Sequence, residues 1–227
     1  MTVSQDKKAR PPAKEITRSR REREKLQRRE TITNAAKGLF YEKGYQTTTM
    51  EEIAAAAEVS KGTLYLYFGS KDELYVTGIM EGFDILEERL QKLLASDMDV
   101  FEKGKAMFMA FVEHCLEHPE YFRMTQFIIT EEARRDLPRK LIDEVTARTS
   151  RLLEYVSGLV REGIDSGVIR EEVGPAIFAV ASWRLATGIL DLAVVNEPFG
   201  REAGSYRDIF EQAVDLLITG AKRSVTQ

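Results

Sequence analysis

An all-α fold is what this 227-residue sequence predicts, and three observations predict it. Past residue 29, apolar residues recur at i, i+3, i+4 and i+7 almost throughout, the spacing that lays one stripe along a helix. Pro119, Pro138 and Pro175 stand where a first helical turn tolerates proline, and Gly44 and Gly167 stand where a left-handed residue ends a helix. No run alternates apolar and polar side chains as a half-buried strand does, and no internal repeat is visible. At 43% hydrophobic and 31% charged residues the chain can bury one large core or two small ones, and about nine helices are expected.

Residues 1–28 are polar and basic, with Pro11 and Pro12 and no apolar periodicity, so a disordered arm is expected there, with helix setting in from about Arg20. Ile32, Ala35, Ala36, Leu39 and Phe40 then mark one face of a first helix, which Gly44 ends. Thr49 and Glu52 form a capping box for a short second helix bearing Met50, Ile53, Ala54 and Ala57. After only Glu58 and Val59, Ser60 caps a third helix through Tyr67, and Ser70 with Glu73 opens a long fourth to about Ala95. Downstream the pattern predicts helices at about 99–118, 119–134, 138–166, 175–196 and 205–223.

The net charge of −4 argues against a polyanionic partner only as an average. Residues 1–71 carry 15 Lys+Arg against 9 Asp+Glu, a net of +6, whereas residues 72–227 carry 18 against 28, a net of −10. One part is thus suited to meet a polyanion and the other is not. A single cysteine excludes an internal disulfide, and only two histidines, His114 and His118, leave no Cys/His set for a metal cage. No metal site and no cofactor are expected. No apolar run follows the basic start, so the expected location is cytoplasmic. Residues 174–195 have membrane-spanning length but contain Arg184 and Asp191, each costing about 2.5 to 3.5 kcal/mol at a bilayer centre, so a buried helix of a protein without a membrane partner is expected.

The stretch TTTMEEIAAAAEVSKGTLYLYFGSK, residues 47–71, places two short helices around a tight turn, which lets the second enter a DNA major groove. Lys61 and Thr63 stand near the front of that helix, within reach of base edges. Tyr65 and Tyr67 can hydrogen-bond phosphates and touch thymine methyls, while Leu64 and Phe68 face the core. Thr49 and Lys71 lie at helix N-termini, where backbone N–H groups already favour a phosphate. Caps on a tyrosine-rich core helix would look similar. From about Arg29 to Tyr75, however, the sequence closely resembles the DNA-binding domain of the TetR family of bacterial transcriptional regulators, through AAKGLFYEKGYQTTTMEEIA and VSKGTLYLYFGSKDEL.

That resemblance implies a homodimeric repressor whose C-terminal helices bind a small molecule and whose DNA affinity falls when they do. It places DNA contacts on Thr49, Ser60, Lys61, Gly62, Thr63, Tyr65, Tyr67 and Lys71. It also shows one departure: Glu58 stands where the family's turn usually has glycine, so a residue with a Cβ takes any left-handed conformation there, at about 1 kcal/mol. The arm adds eleven Lys+Arg within residues 7–29, and Arg20, Arg21 and Arg23 are candidates to follow phosphates or enter the minor groove.

Beyond residue 75 only the layout resembles the family. Phe108, Phe111, His114, Phe127, Trp183 and Arg184 are the candidates for an effector site, since aromatic side chains around a helical bundle can line an apolar cavity; the same stripes would also suit plain core. His114 and Arg184 each lie in an apolar helix and need a partner there. Arg184 and Asp191 are two turns apart on one helix, too far to pair within it, but could pair across a two-fold axis.

The sequence therefore predicts an N-terminal arm (1–28), a three-helix DNA-binding domain (29–75) and a larger helical effector-binding and dimerisation domain (76–227). Its partners would be double-stranded operator DNA of pseudo-palindromic sequence, a small-molecule effector, and a second copy through the helices near 175–196 and 205–223. The function expected is a ligand-responsive repressor without catalytic residues. A ligand-independent DNA binder or activator is the alternative; a helical enzyme fits less, because no nucleophile and base arrangement or phosphate loop is present.

Overall fold

The computed structural model describes residues 13–195 and 206–223, and these form ten helices. In chain order they are α1 (Ala13–Lys43), α2 (Met50–Ala56), α3 (Lys61–Tyr67), α4 (Lys71–Leu94), α5 (Val100–Glu117), α6 (Pro119–Ile128), α7 (Glu131–Asp136), α8 (Arg139–Asp165), α9 (Pro175–Val195) and α10 (Tyr206–Ala221). An isolated antiparallel bridge joins Ile169 to Lys222. The chain divides between Leu74 and Tyr75 into two compact units.

The N-terminal unit packs α1, α2 and α3 around Ile32, Ile53, Leu64 and Phe68, all buried. Gly44 (φ 82°) follows the end of α1 and Gly167 (φ 74°) the end of α8, each in the left-handed region where a Cβ would be strained. Helix α1 reaches back to Ala13, a correction to the disordered arm expected over residues 1–28; residues 1–12 lie outside the described residues. Its Ala, Lys, Glu, Arg and Gln are strong helix formers, and Arg20 and Glu24 pair at 2.8 Å one turn apart.

In the second unit, Phe108, Val112, Cys115, Phe122, Leu190, Phe210 and Val214 form one cluster from α5, α6, α9 and α10. The helix expected over 119–134 is two helices. Thr130 is extended there (φ −78°, ψ 157°), donates to the Phe127 carbonyl at 2.7 Å and accepts from the Ala133 N–H at 3.2 Å. One hydroxyl thereby finishes α6 and caps α7. The expected ends at 196 and 205 lie outside the described residues.

Helices α4 and α8 are joined by a buried carboxylate. Glu87 receives Arg148 at 2.7 Å, Arg151 at 3.0 Å and the Tyr155 hydroxyl, and Arg148 also pairs with Asp84. Such a group is stable only while its partners stay in place. No described helix is long and apolar enough to cross a membrane.

Candidate nucleic-acid interface and apolar cavity

Local hydrogen bonds shape the N-terminal unit's outer surface. The Thr49 hydroxyl accepts from the Glu52 N–H at 3.2 Å, and the Glu52 carboxylate accepts from the Thr49 N–H at 3.0 Å, a closed capping box that starts α2. Lys43, 2.7 Å from Glu52, and the Thr49 donors hold that carboxyl down to about 2, so the box stays ionised. Helix α2 ends at Ala56, and two residues on Glu58 takes the left-handed conformation (φ 53°) that its place in the turn demands. The Val59 N–H then bonds the Ala54 carbonyl at 2.9 Å. Ser60 next accepts from the Thr63 N–H at 3.0 Å and opens α3.

On α3 the helical period sorts side chains sharply. Leu64 is fully buried and Phe68 nearly so, while Leu66 is 83% and Tyr65 46% exposed. Ser60, Lys61 and Gly62 are exposed at the front, and Thr63 and Tyr67 are half-buried. Arg29 of α1 donates to the Tyr67 carbonyl at 3.1 Å and lies 4.2 Å over the Phe68 ring, tying down the rear of α3.

Leu66 is the candidate contact missing from the sequence reading. Counting 3.6 residues per turn from Leu64 and Phe68 would have found it on the outer face. An exposed leucine there offers apolar contact to a thymine methyl.

Two expected phosphate contacts have partners within the unit. Lys71 directs its ammonium at the carbonyls of Tyr45 (2.8 Å), Thr48 (3.1 Å) and Gln46 (3.3 Å) and lies 4.2 Å over the Tyr45 ring, so it fixes the turn before α2. Thr49, exposed, donates to Glu52 at 3.1 Å. Lys61 pairs with Glu51, an ion pair in full contact with solvent. Arg20, Arg21 and Arg23 are exposed on α1.

The second unit holds a cavity of about 150 Å³ walled by α4, α5, α6, α8, α9 and α10. Phe108, Phe111, His114 and Trp183 line it as expected. The other two candidates do not. Phe127 packs edge-on to Tyr75 with ring centres 5.9 Å apart, and Arg184 is exposed, 5.6 Å over the Trp183 ring. Neighbours on one helix, Trp183 and Arg184 point about 100° apart, which periodicity in a helix apolar on most sides could not assign to inside and outside. Cys115 also lines the wall, and burial pushes its thiol up, leaving it inert as a nucleophile.

No lysine, arginine, aspartate or glutamate contributes to the wall among the described residues. Burial holds His114 down to about 4, with His118 and Arg89 adding to the effect, so the imidazole is neutral near pH 7.

Comparison with known proteins matches residues 32–76 to the family of bacterial regulatory proteins described as the tetR family. The transcriptional repressor KstR2 of Mycolicibacterium smegmatis is 30% identical over 149 residues, spanning 64% of this chain and 69% of that protein. In fold, the chain superimposes on FadR of Bacillus subtilis, solved with stearoyl-CoA, with a TM-score of 0.72 at 20% identity, covering 84% of this chain and 98% of that one. It also superimposes on AibR, solved with isovaleryl coenzyme A and operator DNA, with a TM-score of 0.67 at 23% identity, covering 84% and 98%. The last two likenesses bear on the fold.

Proposed function

The chain belongs to the TetR family of bacterial transcriptional regulators, and from that premise we propose a repressor that holds operator DNA through α3 and leaves it when a small molecule fills the cavity. One observation carries the reading: the chain joins an outward-facing recognition helix to a second unit whose cavity α4 itself lines with Ile79, Phe83, Leu86 and Leu90. Helix α4 starts at Lys71, whose ammonium holds the turn before α2. A ligand against α4 therefore touches the same helix that fixes the DNA-reading turn. Release needs the ligand to prefer the conformation with lower DNA affinity, not merely to occupy the cavity.

Residues 29–75 would read DNA, residues 76–227 would bind effector and partner, and Arg20, Arg21 and Arg23 would add phosphate contacts. Lys61, Gly62, Tyr65 and Leu66 form the outer face of α3 suited to base edges, with Ser60, Thr63 and Tyr67 beside them. Thr49 and Lys71 position that face.

A homodimer supports the reading, because Ile177 and Val180 on α9 and Leu216 on α10 are exposed at 76%, 45% and 74%. A second copy would cover them and present two recognition helices to a pseudo-palindrome. Arg184 and Asp191, both exposed on α9, are placed to pair across such an interface. The protein would act in the cytoplasm and catalyse nothing. Acyl-CoA, the ligand class of FadR and AibR, is the first class to screen.

The test is selection of bound fragments from genomic DNA, followed by a screen for compounds that release them. A preferred fragment and a releasing compound are expected. Failure to enrich any fragment would sink the DNA-binding claim, whereas binding indifferent to every compound would leave a ligand-independent regulator.

A further inference from the structure

Among the described residues the cavity wall carries five hydroxyls, four of which, on threonine and serine, are engaged with the preceding turn; the Tyr121 hydroxyl and the half-buried Gln126 carboxamide complete its polar groups. Thr125 donates to the Tyr121 carbonyl at 2.8 Å, Ser182 to Ala179 at 2.9 Å, Thr149 to Val145 at 3.0 Å and Thr187 to Arg184 at 3.2 Å. Bonds of this kind, from a hydroxyl to the preceding turn, leave those four groups little to offer a ligand.

His114 differs. It is 4% exposed, lines the cavity, and its Nδ1 is buried without a hydrogen-bond partner. A buried polar atom left in that state costs about 1 to 3 kcal/mol. Its ring is also held in place. The Tyr121 ring lies parallel to it, 5.8 Å away at 5°, and His118 lies 5.3 Å away. Tyr121 can occupy that position only because residue 82 is glycine: a Cβ on Gly82 would stand 2.6 Å from the Tyr121 ring. The packing thus fixes an imidazole whose Nδ1 has no hydrogen-bond partner among the described residues.

We propose that His114 is the polar anchor of the effector site, and that the effector buries an uncharged, mainly apolar body whose one hydrogen-bonding oxygen, hydroxyl or carbonyl, meets this imidazole. The inference rests on reading the cavity as the effector site. A charged group would find no counter-charge in the wall, and burying it unpaired is prohibitive. A neutral oxygen restores the missing hydrogen bond. A hydroxyl satisfies either imidazole tautomer, since it both donates and accepts, whereas a carbonyl requires the proton on Nδ1. Any charged portion of a larger ligand must lie outside the wall described.

The chain has one tryptophan, Trp183, and it lines the cavity, so its emission reports occupancy directly. The full-length protein should be titrated at pH 8 with 1-hexanol, 2-hexanone, n-hexane and hexanoate. The affinity of 1-hexanol or 2-hexanone relative to n-hexane should be about tenfold higher in the native protein than in His114→Phe, the equivalent of one hydrogen bond of about 1.4 kcal/mol, and hexanoate should bind more weakly than either. Binding of hexanol but not hexanone would assign the acceptor tautomer to Nδ1; binding of both, the donor.

His114→Gln should keep most of that relative preference. A ratio of oxygenated compound to n-hexane that is the same in the native protein and in His114→Phe would overturn the anchor while leaving the cavity as a ligand site. Silence of Trp183 to all four compounds would overturn the cavity reading itself.

Discussion

The two units solve opposite problems. In the N-terminal unit polar groups are held by partners inside the unit: Thr49 by Glu52, Ser60 by the Thr63 N–H, Lys71 by three carbonyls of the turn before α2. In the second unit six helices from distant parts of the chain enclose a space with no charge and one buried, unpartnered polar atom. A surface that must present a fixed shape to DNA is preorganised by its own caps. A site that must take up a ligand leaves something for the ligand to complete.

The contrast breaks most visibly on α3. Leu64→Ala should destabilise the N-terminal unit by about 3 kcal/mol, because the side chain is fully buried and the short helix has no second anchor but Phe68. Chemical denaturation followed by a probe in that unit, together with loss of operator binding, checks it. A loss below 1 kcal/mol would mean that α3 collapses around the gap.

Next in size, Glu87→Ala should destabilise the second unit by about 3 kcal/mol, at the low end for a buried ion pair because Arg148 and Arg151 keep some solvent contact. Urea unfolding of the single variant and of Glu87→Ala with Arg148→Ala measures it. The double variant should lose less than the sum of the two singles.

The neutral state of His114 makes the second unit sensitive to acid. The unfolded imidazole takes a proton near pH 6.5 and the folded one only near 4, so between those values the unfolded chain binds more protons and stability rises with pH. The contribution is complete above pH 6.5 and is lost as pH falls toward 4. After allowance for screening by solvent it amounts to roughly 2 kcal/mol. Between pH 7 and pH 4.5 the unfolding free energy of the native protein should fall by that amount relative to His114→Phe. Parallel curves would assign the acid sensitivity to titratable groups other than His114.

The smallest effect sharpens the comparison within one helix. Leu66→Ala, two residues from Leu64, should change stability by less than about 0.5 kcal/mol, being 83% exposed. It should nevertheless weaken operator binding about fivefold, the scale of one apolar base contact. An operator affinity equal to that of the native protein would remove Leu66 from the interface.

Much of the N-terminal unit was legible in the sequence because its determinants are local. The Thr49 and Glu52 capping box, the left-handed Glu58 and the inward Leu64 and Phe68 each follow from residues within four positions of one another. The same local logic was available at Thr130, where a cap followed by two glutamates splits one expected helix into two, but the apolar stripe running through it concealed the break. The ammonium of Lys71 was legible only as a charge near a helix start. Its real partners, the carbonyls of residues 45, 46 and 48, lie more than twenty positions back.

What the sequence determined by itself is the all-helical class, the break in charge at residue 71 and the family, because periodicity, composition and a contiguous motif are properties of neighbouring residues. Only the tertiary structure decided which aromatic residues meet a cavity, why Phe127 packs on Tyr75 instead, and that His114, among the described residues of the cavity wall, presents a buried nitrogen without a partner. Those outcomes depend on where six helices cross, and a glycine on α4 that admits a ring from α6 carries no sign of it in its own neighbourhood. Side-chain partnership across the fold is a non-local property, and it emerges only when packing brings the helices together.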